Sequence, residues 1–172
     1  NDCLACNYTA GGGTSGVAVL SLWMMTPVLN IANGATFSFW THTLNPAGGG
    51  YPDRLQIRMS LNGSSTNVGS GTGATGANAV GDFSNLLLDI NPAQNTTAYP
   101  SDWTQFTVTI SGVSTPTTGR LAFRYFVTGG GPGGANSNAI VIDNASYAVP
   151  APGAIALLGL AGVCGSRRRR NA

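Results

Sequence analysis

The chain has 172 residues, 25 of them glycine, and only 8% are charged, with no lysine and no glutamate anywhere. That length suits one domain with its own core plus a short appendage, and the missing Lys and Glu argue against helices with solvated faces and for short strands joined by Gly/Ser/Asn loops. Outside the arginines at 167–170 the chain carries four arginines and six aspartates, a net of −2, which leaves the body no basic patch for nucleic acid.

The chain opens on Asn rather than Met, and we read it as a mature form or a fragment, with any secretion signal upstream. Val17 to Met25 is apolar and runs up to Pro27. Period-two alternation then predicts strands. Ala35 to His42 places Ala35, Phe37 and Phe39 on one face. Asp53 to Ser60 sets Leu55, Ile57 and Met59 against Arg54, Gln56 and Arg58. Asn62 to Gly81 is a low-complexity Gly/Ser/Thr/Asn segment, expected to be a moving loop. Leu86 to Ile90 fits a strand or one short helical turn. Phe106 to Ile110 alternates throughout, Arg120 to Val127 groups Leu121, Phe123, Tyr125 and Val127, and Ala139 to Ile142 is an apolar strand ending at Asp143. Thr128 to Asn138 is a second Gly-rich loop. No helical period rivals these strands, so the expected fold is an all-β antiparallel sandwich of jelly-roll type over residues 1–147.

Residues 148–172 form the appendage. Gly153 to Gly165 is continuously small and apolar, and Arg167, Arg168, Arg169 and Arg170 follow as a cationic stop. An apolar run closed by arginines predicts a short C-terminal helix inserted in the inner membrane, arginines inside and body outside. The run is short for a permanent span, which favours transient insertion. A buried core helix is disfavoured by the flanking prolines and internal glycines. Val149, Pro150, Ala151 and Pro152, then the apolar run, then the arginines, resemble a PEP-CTERM sorting signal, with Ala151 where the family usually has glutamate. The resemblance implies an exosortase as processing partner, removal of the tail, and a secreted protein on the cell surface or in the extracellular matrix of a Gram-negative, biofilm-forming bacterium.

A second resemblance covers most of the body. Trp23 to Pro27, Asn33 to Thr41, Pro52 to Leu55, Val80 to Phe83, Trp103 to Phe106, Gly119 to Tyr125 and Ile142 to Asn144 are similar to the choice-of-anchor J domain. That implies a jelly roll related to MAM-type and cleaved-adhesin domains, carried next to a surface anchor. The stretch before Trp23 reads as too short for the family's first strands, which would leave an open sheet edge.

Catalytic chemistry has little to work with. His42 is the one histidine, and there is no Gly-x-Ser-x-Gly or His-Glu-x-x-His motif. His42 reads as a surface or interlayer side chain. Gly71 to Gly76 spells the dinucleotide fingerprint inside a low-complexity loop, without the strand and helix that motif requires. Cys3 and Cys6 lack further zinc ligands; outside the cytoplasm Cys3 is expected to pair with Cys6 or with residues upstream. Asp53, Asp82 and Asp143 are candidate calcium ligands, the competing reading being pairing with the arginines. No other cofactor is implied. Trp40, Tyr51, Tyr99 and Trp103, near strand ends and loops, are candidate sugar-stacking rings, set against the commoner role of such rings in packing. The expectation is a non-catalytic displayed protein that adheres to exopolysaccharide or to other surface proteins. The alternative is a structural subunit that self-assembles into fibres or matrix through an open sheet edge. A glycan-active enzyme is disfavoured, because no pair of carboxylates can be nominated.

Overall fold

The computed structural model describes residues 3–11, 15–44, 50–70 and 78–150. Nine strands are present among them: β1 (Leu4–Asn7), β2 (Ala18–Met25), β3 (Leu29–Ile31), β4 (Thr36–Thr43), β5 (Leu55–Ser60), β6 (Asn85–Ile90), β7 (Thr104–Thr109), β8 (Thr117–Gly130) and β9 (Ala139–Ala148). They form two antiparallel sheets. The first runs β1-β9-β4-β7; the second runs β2-β8-β5-β6, with β3 also on β8. Met25 pairs with Ala122 and Leu29 with Gly119, so β3 resumes along β8 the line that β2 leaves. Pro27, which has no N–H to give, sits in the break. With β3 counted as an extension of β2, the strand order is that of a jelly-roll β-sandwich.

The alternation read from sequence places the core. Phe37 and Phe39 of β4 face Leu55 and Ile57 of β5 and Leu121, Phe123 and Val127 of β8, all buried. Phe123 is the hub of the aromatic cluster, with ring centroids 5.4 Å from Phe37 and 5.0 Å from Phe39. Each such ring contributes roughly 1.5–3 kcal/mol by leaving water.

Three sequence expectations change. Leu86–Ile90 lies in strand β6, not a helical turn. The N-terminal stretch is not too short: β1 pairs with β9 over Leu4–Asn7 and β2 pairs with β8. Both opening strands of the jelly roll are present, and the feature that motivated fibre assembly through a missing strand is absent among the described residues. The segment expected to be a moving loop is anchored along both of its described flanks, 62–70 and 78–84. The Asp82 carboxylate accepts hydrogen bonds from Asn62 Nδ2 (2.8 Å) and Ser65 Oγ (2.5 Å), and Asp82 N donates to Asn67 O (2.9 Å). Gly81, at φ 50°, allows this closure; a Cβ there would collide with Asn67 O. The segment ends at Phe83, which is 0% exposed, with its ring 5.5 Å from Trp23. The flanks therefore form a roof over the outer face of the second sheet. The expected sorting helix, with Ala151, Pro152 and Arg167 to Arg170, lies outside the described residues, as do Gly71 to Gly76.

Candidate functional site

One end of the sandwich carries a pocket of about 270 Å³ lined by Tyr8, Tyr51, Gly131, Pro132, Gly134, Ser137 and Asn138. Tyr8 follows β1 directly and is fixed by its N–H to Asn138 O (3.0 Å). Tyr51 precedes β5, where Ser137 N donates to Pro52 O (2.9 Å). The Gly131–Gly134 turn closes β8 through Gly134 N to Gly131 O (2.9 Å), with Gly131 at φ 89°. The two rings remain in water: Tyr8 is 40% and Tyr51 50% exposed. No lining residue is charged.

The floor of this pocket is held from behind. Asp53 is 1% exposed. Its Oδ1 accepts from Tyr125 Oη (2.5 Å) and from Asn138 N (2.9 Å), and its Oδ2 accepts from Thr43 Oγ1 (2.7 Å). Tyr125 Oη also pairs with Ser137 Oγ at 2.7 Å. Thr43 belongs to β4 and Tyr125 to β8, so one carboxylate ties the two sheets together directly beneath Ser137 and Asn138. Burial raises the Asp53 pKa, and the hydrogen bonds from Tyr125, Thr43, Asn138 and Ala139 oppose that rise. The same burial, with the Asp53 charge next, raises the Tyr125 hydroxyl far above its ordinary range. This network makes a rigid floor that offers polar groups between two exposed ring faces.

The residues singled out from sequence do not converge here. Tyr51 lies at the pocket. Tyr99 does not: it is buried, with Oη 2.8 Å from Thr41 Oγ1, so it packs the core and presents no face to a ligand. Trp40 is half-buried on the outer face of β4, opposite Gln105 and Asp143. Trp103 is exposed and meets the edge of His42, centroids 4.4 Å apart; His42 Nδ1 donates to Thr43 O at 2.6 Å. Asp53, Asp82 and Asp143 do not come together, and no group of three potential metal ligands forms among the described residues. The donors around Asp53 occupy its carboxylate, Asp82 organises the roof, and Asp143 accepts from its own neighbour Asn144 N.

Cys3 and Cys6 are not bonded to each other. Three positions apart on extended chain, they project to opposite sides. Burial pushes the Cys6 thiol up to about 11. Val149 is exposed, and Pro150 lies against Gly34. Tyr8, Ser137 and Asn138 escaped sequence reading. Their only signal was an aromatic next to the first cysteines and a polar pair closing a glycine loop, and Ser137 takes a left-handed φ of 75° that no motif announces.

No protein-family model matches the chain, and no curated protein matches it. Among solved structures it is similar to the K1 cleaved adhesin domain of Lys-gingipain from Porphyromonas gingivalis, with TM-score 0.51, 20% identity, and 87% of this chain and 75% of that chain covered. The K3 cleaved adhesin domain of the same protein is similar at TM-score 0.51 and 19% identity, covering 86% of this chain and 74% of that chain. At this identity the likeness shows the fold, a β-sandwich shared with adhesin domains.

Proposed function

We propose that this chain is an exported, non-catalytic adhesion module that binds polysaccharide at the Tyr8/Tyr51 pocket. The observation that carries the reading is the pocket itself: two exposed aromatic rings beside an uncharged, polar floor held rigid by Asp53. Ring faces stack on the C–H faces of sugars, and neighbouring polar groups fix orientation. The Asp53 carboxylate faces its four donors in the interior and not the pocket, which supports binding over acid–base chemistry. The adhesin-like fold agrees with this role, as does the resemblance to the choice-of-anchor J domain.

On the same reading the PEP-CTERM-like tail directs display. Exosortase processing near Val149 to Pro152 releases the sandwich to the cell surface or matrix after transient insertion. Titration with a panel of neutral oligosaccharides tests the binding claim. Binding should be weakened about tenfold by Tyr51→Ala and by Tyr8→Ala, in keeping with roughly 1–1.5 kcal/mol per stacked ring. Silence on every glycan, including the producer's own exopolysaccharide, rejects the claim. Intact mass of protein recovered from the cell surface tests sorting separately: a terminus near Val149 to Pro152 supports it, and retention of Arg167 to Arg170 removes it.

A further inference from the structure

Three of the four arginines in the body lie on the outer face of the second sheet, around one carboxylate. Arg54 binds Asp89 through Nε (2.9 Å) and Nη2 (2.6 Å). Gln56 Nε2 donates to the same carboxylate (2.9 Å), and Gln56 Oε1 accepts from Arg58 Nε (2.8 Å) and from Arg124 Nη1 (3.2 Å). Arg124, 1% exposed, lies between two aromatic rings, 3.8 Å from the Phe126 centroid and 5.0 Å from that of Trp23. Arg54 lies 4.9 Å from Phe126. The other described aspartates are elsewhere: Asp53 in the core, Asp82 in the roof, Asp102 before β7 and Asp143 on β9.

Gathering these cations carries an electrostatic cost. Burial lowers the Arg58 pKa, and the Arg54 charge adds to that against the help of Asp89. Arg124 is lowered to about 10 by burial, then by Arg58 and Arg54. Cation–π contact offsets the cost for Arg124 and Arg54; among the described residues Arg58 lies over no ring. Two nitrogens also remain unused among the described residues. Arg54 commits Nε and Nη2 to Asp89, leaving Nη1, and Arg58 commits Nε to Gln56 and Nη1 to Phe83 O, leaving Nη2. Both side chains reach solvent, Arg54 at 16% and Arg58 half-buried.

We propose that Arg54 and Arg58 form a second binding surface, which takes the carboxylates of an acidic, uronate-type polysaccharide. A guanidinium presents its N–H groups in a plane that matches a carboxylate. The two arginines stand four positions apart on one extended segment, roughly 13 Å at the strand rise. That spacing fits a polymer bearing several carboxylates better than one small anion. The inference rests on the polysaccharide reading and sharpens it by naming the sugar class.

The test compares oligogalacturonate with a neutral cello-oligosaccharide of equal length, titrated calorimetrically into the full chain at low and physiological salt. Oligogalacturonate should bind more tightly, and added salt should reduce that advantage. Arg58→Gln should weaken it about tenfold and leave neutral binding unchanged. Asp89→Asn removes the carboxylate at the centre of the cluster and should strengthen it, a gain that a purely structural role for the cluster does not produce. Equal binding of both sugars, or an acidic preference untouched by both substitutions, overturns the proposal. Absence of oligogalacturonate binding also overturns it, while the neutral sugar and Tyr51→Ala test the pocket independently.

Discussion

The two outer faces of this sandwich are built from opposite materials. On the first sheet, Trp40 stands opposite Gln105, Ser38 opposite Thr107 and Thr36 opposite Thr109, and β7 presents these polar side chains to water. On the second sheet, arginines and aromatic rings interleave, and the flanks of a glycine-rich segment cover part of them through Phe83 and Ala79 O. One face is an ordinary solvated β surface. The other is a second, smaller core in which cations take the place of aliphatic side chains. A sheet face that needs a roof depends on the segment that makes it, so the two faces should respond very differently to substitution.

The largest effect is expected where the roof enters that second core. Phe83→Ala deletes a fully buried ring packed on Trp23, and should cost about 3–4 kcal/mol in denaturant unfolding. A cost below about 1 kcal/mol would show that the roof is laid on the sheet and not built into it. Gly81→Ala tests the same region through the backbone. It forces a side chain into a left-handed residue and against Asn67 O, and should cost about 2 kcal/mol. Hydrogen exchange should then rise in 62–70 and 78–84, with β4 and β7 unaffected.

Asp53 tests what joins the sheets that own these faces. Asp53→Asn sets an amide donor among groups that already donate, and should cost about 2 kcal/mol at neutral pH. The pH dependence has a definite sign. Burial raises the folded-state pKa above the unfolded value of about 3.9, so the folded protein holds the proton more tightly. Lowering the pH from neutral through the folded pKa toward the unfolded one therefore adds stability, and that gain is lost again as pH rises. The Asp53→Asn variant has no such group. Unfolding midpoints of both proteins, taken at neutral pH and at mildly acid pH, should move apart in favour of the native protein on acidification. An unchanged gap would mean that the four donors cancel the burial of the charge.

The difference between the faces also explains what was legible in the sequence. Alternation in 35–42, 53–60 and 120–127 predicts strands whose inner residues are the observed core, because period two is a local property of extended chain. The roof was illegible for the opposite reason. Asn62, Ser65 and Asn67 look like loop filler, and they acquire a role only when the Asp82 carboxylate arrives 15 to 20 positions later. Asp53 was read as a calcium candidate because it begins a strand, while its partners Tyr125 and Asn138 lie 72 and 85 positions away. Tyr99 is a candidate stacking ring in the sequence because it lies near strand ends and loops; the hydroxyl of Thr41, 58 positions distant, holds it in the core.

The smallest effect is expected on the solvated face, and it is the sharpest check on the comparison. Trp103 is a large ring, and its size alone would suggest a large loss on truncation. It is nevertheless 44% exposed, and the contact it makes is edge-on to His42, whose ring is itself held by the Thr43 carbonyl. Such a pair is worth about 0.5–1 kcal/mol beyond area burial, and much of the ring never leaves water. Trp103→Ala should therefore cost under about 1 kcal/mol, several times less than Phe83→Ala despite the larger side chain. If the two substitutions cost the same, the first face has a structural layer of its own, and exposure is a poor guide to which face is built and which is bare.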